Sequence, residues 1–389
     1  MCIRDSHTPV QIFPRDIDYT EWETLRKYPL LNWNMGMVYN LRESDERIYP
    51  QGELGRRTIG LTGDRGNYGI EAVYREELAG RDGRATRQRI ARGFYGRVVD
   101  GDNIDPIDGL DVVTTLDLDV QDVANRYLRE QLEAQNAIWG TTIVMEVRTG
   151  EILALVNLGR TPGGGYAERE NYAIGRNTEP GSTFKLASML LLLDDADMPL
   201  DQTYDTGNGR VVKVGGIRVQ DSHAGFNDMD FRTAVAQSSN VYFAKAIWER
   251  YADNKERYSD FMKKLHLDQT VGLEAFGEKK PLFQDWKEVP DPNSMLVRRS
   301  FGYRIKLSPI QVITLYNAIA NDGKMISPIL VRELRRDGDV VKHFKTQTLV
   351  DKVCSERTLR EVRKLLESVG TEGTGAGFFR DTTLYTVAA

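Results

Sequence analysis

A serine and a lysine three positions apart could form an activated nucleophile in this chain. Ser182 and Lys185 are the only Ser-x-x-Lys pair among the 389 residues. On a helix, residues at this spacing lie one turn apart on the same face. A neutral amine can accept the hydroxyl proton, and burial favours the neutral form of lysine. Taken alone, the pair fits equally well a serine that caps a helix beside a solvated lysine.

A second polar triplet could complete such a site. Ser238, Ser239 and Asn240 form the only Ser-x-Asn sequence in the chain. The hydroxyl of Ser238 could relay a proton, and the amide of Asn240 could hold a peptide backbone while contacting the lysine. By itself, the triplet also fits a polar corner at a helix start. We therefore predict Ser182, Lys185, Ser238 and Asn240 as candidate catalytic residues, provided that they converge in one cleft.

The elements that must position these residues follow from apolar periodicity. Pro180 and Gly181 interrupt the chain directly before Ser182, and proline is tolerated at a helix start. The residues that follow, 184–193, are apolar on nearly every face, which predicts a buried helix. The other predicted helices are 71–78, 120–132, 232–251, 308–320 and 356–369. The predicted strands are 112–116, 141–147, 151–156, 329–333 and 339–345, and residues 277–300 are predicted as a loop.

Composition restricts the classes of function and suggests two domains. The net charge of −5 gives no sign of a nucleic-acid-binding surface. The four histidines and two cysteines show no spacing typical of a metal site. No run reaches the roughly 18 apolar residues of a membrane span. The length predicts two domains, and the turn cluster Asp105–Gly109 places their boundary between residues 1–108 and 109–389.

Together, these motifs resemble those of the penicillin-binding proteins. That family and the class A β-lactamases carry Ser-x-x-Lys, a Ser-Asp-Asn type triplet and Lys-Thr-Gly. Glu179–Lys185 and Ser238–Asn240 look like the first two motifs. The context of these motifs in class B penicillin-binding proteins is similar to residues 149–154, 301–303, 308–309 and 373–375. Arg56–Gly60 and the residues after it look most like the pedestal of division-type transpeptidases.

The resemblance implies an α+β fold in which an antiparallel sheet is flanked by helices. Residues 109–389 would form a transpeptidase domain of the penicillin-binding protein/serine β-lactamase type, and residues 1–108 part of a pedestal or dimerisation-like domain. One motif departs from the family, since no Lys-Thr-Gly follows Ser238. In the family it would come almost directly after a stretch like 385–389. We therefore expect a chain cut at both ends, lacking an N-terminal membrane helix and the last strands, and inactive or poorly soluble by itself.

The resemblance also implies an activity, partners and a location. The substrate would be the peptidoglycan stem peptide ending in D-Ala-D-Ala, carried on a glycan or lipid-linked precursor. Lys185 would activate Ser182, Ser238 would pass a proton to the leaving amine, and Asn240 would orient Lys185 and the donor peptide. β-Lactams would trap the same acyl-enzyme, and no metal or organic cofactor is implied. The implied partners are the division or elongation machinery with a glycan polymerase, at the inner membrane, with the catalytic domain in the periplasm.

Two other functions are compatible with this fold. A serine β-lactamase would share the motifs, although the long region before residue 109 argues against it. A penicillin-sensing receptor or silent scaffold would also share them. Rapid turnover of penicillin would favour the hydrolase, and several membrane spans would favour the sensor.

Overall fold

The apolar residues that follow Ser182 form a helix in the hydrophobic core. In the computed structural model of the chain, every residue of Lys185–Leu190 is buried, and the helix continues as a π-helical turn over Leu191–Asp195. This helix packs against the helices Asn240–Tyr251 and Glu356–Thr371 in one apolar cluster. The predicted buried helix is confirmed, and its start is the place from which Ser182 is presented.

The structure describes residues 48–63, 66–84, 87–91, 94–97, 103–379 and 386–389, together with residues 21, 24, 25, 27 and 28. Within the compact unit Gln51–Ala389, the α-helices span Arg56–Ile59, Gly69–Val73, Arg75–Ala79, Leu118–Ala134, Tyr172–Gly175, Lys185–Leu190, Phe231–Ala236, Asn240–Tyr251, Lys255–Lys264, Pro292–Arg299, Pro309–Ala320, Glu356–Thr371 and Ala376–Phe379. Short 3-10 turns span Gly181–Phe184, Gly207–Gly209 and Trp286–Glu288. The strands span Arg87–Ala91, Phe94–Arg97, Asp111–Thr114, Trp139–Met145, Ile152–Arg160, Tyr166–Ala167, Tyr204–Asp205, Val212–Val214, Ile217–Val219, Asp228–Met229, Met325–Ile326, Val331–Arg336, Asp339–His343 and Thr348–Val350.

The strands pair in antiparallel sheets, as the resemblance implied. One three-stranded sheet has the order Trp139–Met145, Ile152–Arg160, Tyr166–Ala167. Another has the order Asp339–His343, Val331–Arg336, Asp111–Thr114. The amide of Ile152 donates to the carbonyl of Ile329 at 2.9 Å and so links the two sheets. Helices border these strands, so the fold is the expected α+β arrangement.

The predicted helix over 232–251 is wrong in one respect, because the structure has two helices there. Phe231–Ala236 ends before Ser238, which adopts a left-handed backbone with φ 54°. Ser239 then caps Asn240–Tyr251, since its hydroxyl accepts the amide of Tyr242 at 3.0 Å. The apolar periodicity continues across the break and hides it, whereas the capping serine marks it.

Three other predicted elements need correction. The predicted loop 277–300 contains the helix Pro292–Arg299. Asp291 caps the start of this helix, because its side chain accepts the amide of Ser294 at 2.9 Å. The predicted helix 71–78 is divided at Tyr74 into two short helices, and the predicted helix 356–369 extends to Thr371. In a short, mostly polar segment, the few apolar residues do not repeat often enough for hydrophobic periodicity to predict a helix of two turns.

Much of the predicted pedestal lies outside the described residues, including 1–20 and 29–47, as do residues 380–385 near the other end. The domain boundary at residue 108 stays a prediction. No helix in the described part of the chain is both long and apolar enough to span a membrane.

Truncating the buried helix should destabilise the protein. Leu190 is fully buried, so Leu190→Ala is expected to lower the free energy of unfolding by about 2–5 kcal/mol. The matched control is Leu282→Ala, at a side chain that is 54% exposed, where the loss should stay within about 0.5 kcal/mol. Urea unfolding followed by tryptophan fluorescence compares the two. If the two variants lose equal free energy of unfolding, the helix that carries Leu190 is not part of the hydrophobic core.

Candidate active site

The four predicted residues meet around a single atom, the amine nitrogen of Lys185. Its Nζ lies 3.1 Å from Oγ of Ser182 and 3.0 Å from Oγ of Ser238. It also lies 2.6 Å from the carbonyl oxygen of Ser238 and 2.8 Å from Oδ1 of Asn240. The convergence on which the sequence prediction depended is therefore present.

The partners of this amine fit a neutral lysine. The carbonyl oxygen of Ser238 and Oδ1 of Asn240 can only accept hydrogen bonds, so they take the two protons of a neutral amine. The lone pair is then left for the two hydroxyls, either of which can donate. This arrangement suits an amine that accepts a proton from Ser182.

Burial lowers the proton affinity of the same amine. Lys185 is 5% exposed, and the ring of Phe243 lies 5.8 Å from its Nζ. Desolvation lowers the pKa of Lys185 to about 7, and the nearby carboxylate of Asp221 opposes that shift. A lysine in this environment is neutral in a large fraction of molecules at neutral pH.

The nucleophile turn, Gly181–Phe184, exposes Ser182 while it fixes the backbone. The turn is 3-10 helical and not yet α-helical, with Gly181 at φ 58°. The amide of Gly181 donates to the carbonyl of Gly302 at 3.1 Å. A Cβ on Gly302 would lie 1.9 Å from the carbonyl oxygen of Gly181, so only glycine allows this approach. The hydroxyl of Tyr316 donates to the carbonyl of Thr183 at 3.1 Å from the other side.

Comparison with known proteins agrees with this geometry. Residues 140–389 match the family described as "Penicillin binding protein transpeptidase domain". The chain belongs to this family. It is 30% identical over 346 residues to "Probable peptidoglycan D,D-transpeptidase PenA" of Neisseria meningitidis serogroup A, covering 85% of this chain and 55% of that protein. It is 28% identical over 350 residues to "Stage V sporulation protein D" of Bacillus subtilis, covering 87% of this chain and 53% of that protein.

The fold is also that of solved penicillin-binding proteins. The chain superimposes on penicillin binding protein 3 of Mycobacterium tuberculosis, in a complex with aztreonam, with a TM-score of 0.69. The two are 23% identical, and the match covers 85% of this chain and 70% of the other. The chain spans about half the length of the curated relatives it matches.

The sequence analysis did not identify Asp221, which holds part of the site in place. Its buried carboxylate accepts the hydroxyl of Ser239 at 2.7 Å and the amide of Val241 at 2.9 Å. The adjacent carbonyl of Gln220 accepts Nδ2 of Asn240 at 3.2 Å. Asp221 thus holds the start of the Asn240 helix and fixes the amide that contacts Lys185. Asp221 stands in a polar loop without a recognisable spacing to the motif, so no local signal pointed to it.

Residues 373–375, which resemble a segment of the penicillin-binding proteins, lie close to the candidate site. The amide of Thr374 donates to the carbonyl of Ala236 at 3.1 Å, two residues before Ser238. A Cβ on Gly373 would lie 2.2 Å from the same carbonyl oxygen. The segment therefore lies against the helix end that leads into the site.

The pKa of Lys185 should be measurable directly. Nuclear magnetic resonance of protein carrying ¹³C-labelled lysine, with the Lys185 signal assigned by Lys185→Met, should show a titration midpoint near pH 7. In Asp221→Asn the midpoint should fall, because the negative charge that favours the ammonium form is gone.

The matched control is Asp230→Asn, which removes another helix-capping carboxylate that does not contribute to the Lys185 shift. Its Lys185 midpoint should equal that of the unchanged protein. A Lys185 signal that titrates with ordinary exposed lysines, near pH 10.4, would contradict the neutral-amine interpretation.

Proposed function

We propose that this chain carries the acyl-transfer centre of a peptidoglycan D,D-transpeptidase. The observation that carries the proposal is the 3.1 Å contact between the Lys185 amine and the exposed Ser182 hydroxyl. A nucleophile within hydrogen-bond reach of its base, with the base oriented by further groups, is the arrangement that covalent catalysis requires. The family membership of residues 140–389 supports the same reaction class.

In the first half-reaction, Lys185 takes the proton of Ser182 as Oγ bonds to the carbonyl carbon of the penultimate D-Ala. The peptide C–N bond then breaks, and an ester joins Ser182 to the donor stem. The leaving D-Ala nitrogen needs a proton. Ser238 Oγ lies 3.0 Å from the protonated amine and can pass that proton on.

In the second half-reaction, the amine of a neighbouring stem peptide attacks the ester carbonyl. Lys185, neutral again, accepts a proton of that amine, and the Ser182 oxygen leaves as the hydroxyl. Asn240 serves both steps, since Oδ1 orients Lys185 while Nδ2 donates to the carbonyl of Gln220 and fixes the side chain. The products are a cross-linked pair of stems and the restored serine.

The same centre should react with β-lactams. The related penicillin binding protein 3 of M. tuberculosis has been solved in complexes with aztreonam and with ampicillin. A strained lactam carbonyl would take the place of the D-Ala carbonyl and form a stable ester with Ser182. A stable adduct, in place of rapid turnover, separates this function from that of a serine β-lactamase.

Covalent labelling tests the proposal. Protein expressed from the complete reading frame should bind one fluorescent penicillin per chain, and Ser182→Ala should abolish the label because no nucleophile remains. Lys185→Ala should slow labelling by about 10²–10⁴-fold, which is the usual contribution of a general base.

The control for these variants is Ser222→Ala, which removes an exposed hydroxyl next to Asp221 and should label at the unchanged rate. If Ser182→Ala protein is still labelled, the nucleophile is a residue other than Ser182. An unchanged rate in Lys185→Ala would remove the base from the mechanism.

We also propose a role in septal wall synthesis, with the catalytic domain outside the cytoplasm and the protein held at the inner membrane. The resemblance of Arg56–Gly60 to division-type pedestals supports this role. A fluorescent fusion in the source bacterium should concentrate at the division site, and enrichment along the side wall would favour an elongation role.

A further inference from the structure

The loop beside the nucleophile turn presents an arginine from a strained backbone. Arg304 adopts φ 60°, which side-chain-bearing residues rarely take. Its side chain is exposed, and no carboxylate within residues 103–379 pairs with its guanidinium. Strained backbone of this kind persists only where the surroundings hold it, and it is concentrated at functional sites.

Two groups hold the backbone of Arg304 from opposite sides. Its amide donates to Oε1 of Glu179 at 2.9 Å, so this carboxylate contacts the main chain and not the guanidinium. Its carbonyl accepts Nε of Arg299 at 3.3 Å. The left-handed conformation of Arg304 is therefore fixed at both peptide groups.

Arg299 is itself a deeply buried anchor. It is 0% exposed, and its guanidinium stacks over the rings of Phe283 and Trp286 at 4.5 and 4.7 Å. Its Nη2 donates to the carbonyl of Gln284 at 2.7 Å. Aromatic faces and carbonyls thus replace a carboxylate partner, and the charge is used to fix main-chain carbonyls.

The same loop lies directly on the nucleophile turn. The carbonyl of Gly302 accepts the amide of Gly181, one residue before Ser182. Tyr303, between Gly302 and Arg304, is 44% exposed and packs edge-on against Phe301 with ring centroids 5.6 Å apart. An exposed aromatic ring and an exposed guanidinium therefore stand together at the rim of the site.

We propose that Arg304 binds a carboxylate of the stem peptide, other than that of the departing D-Ala, and so determines substrate specificity. The inference rests on the proposed transpeptidase function and deepens it. A guanidinium matches a carboxylate with two parallel hydrogen bonds, which gives direction as well as charge. Glu179 and Arg299 act as positioning residues, because they hold the backbone conformation from which the Arg304 side chain extends into solvent.

The test uses two stem-peptide analogues with the same D-Ala-D-Ala end. In one, the remaining carboxylates are free, and in the other they are primary amides. Protein from the complete reading frame should favour the free form in kcat/KM. Arg304→Gly should reduce that preference about 10-fold, through KM and not kcat, because the contact forms before and persists through the reaction.

Glycine is chosen because it removes the guanidinium and also relieves the left-handed strain. The melting temperature of Arg304→Gly should equal or exceed that of the unchanged protein, and Arg304→Ala should be less stable than Arg304→Gly. Both variants should lose the same preference. Arg304→Lys should retain part of it. Arg336→Ala, at an exposed arginine where strand Val331–Arg336 turns into Asp339–His343, should retain all of it.

The outcomes separate the specificity role of Arg304 from the transpeptidase function. If Arg304→Gly turns over both analogues with the unchanged preference, Arg304 does not read a carboxylate, and the transpeptidase function stands. If the unchanged protein reacts with neither analogue, the proposed function fails and this inference fails with it. A loss shared equally by the free and amidated analogues would reduce Arg304 to a structural role.

Discussion

The site depends on keeping an amine out of water. Lys185 is buried at the start of a helix that is itself inside the core, and desolvation brings its pKa to about 7. An exposed lysine would be protonated and could not serve as a base. Burial alone would leave its protons unsatisfied, so the carbonyl oxygen of Ser238 and the side-chain oxygen Oδ1 of Asn240 accept them. The burial of this helix and the geometry of the candidate site therefore depend on each other.

Two interruptions of α-helical geometry place the polar groups of the site around this buried amine. The nucleophile turn, with Gly181 at φ 58°, lifts Ser182 to the surface while Lys185, one turn later, stays inside. Ser238, in a left-handed conformation, lies between two helices, and both its carbonyl oxygen and its hydroxyl contact the amine. Asp221 fixes the start of the next helix, which carries Asn240. Each of these two segments is held by specific contacts, and neither is α-helical.

These breaks also explain what could be read from the sequence. The long apolar run after Ser182 predicted the buried helix, and β-branched runs on both sides of a short turn predicted the antiparallel pair of strands at 141–147 and 151–156. The helix break at Ser238 was missed because apolar residues continue on both sides of it. Asp221 and Arg304 were missed because Asp221 acts from a separate loop and the amide of Arg304 is held by Glu179, 125 positions away. Arg299 was missed because it lies in a segment that was predicted as a loop. Local sequence patterns predict helices and strands, whereas the residues that hold the site in place depend on contacts that only the folded structure shows.

The central claim is that a neutral Lys185 activates Ser182. The most direct measurement is the second-order rate constant for acylation of Ser182 by a penicillin, followed from acidic to mildly alkaline pH. A neutral lysine base predicts a rate that rises tenfold per pH unit below about 7 and levels off above it, as Lys185 loses its proton. A rate that is independent of pH across this range, or one that keeps rising tenfold per pH unit without levelling off, as for a lysine with the ordinary pKa of about 10.4, would contradict it.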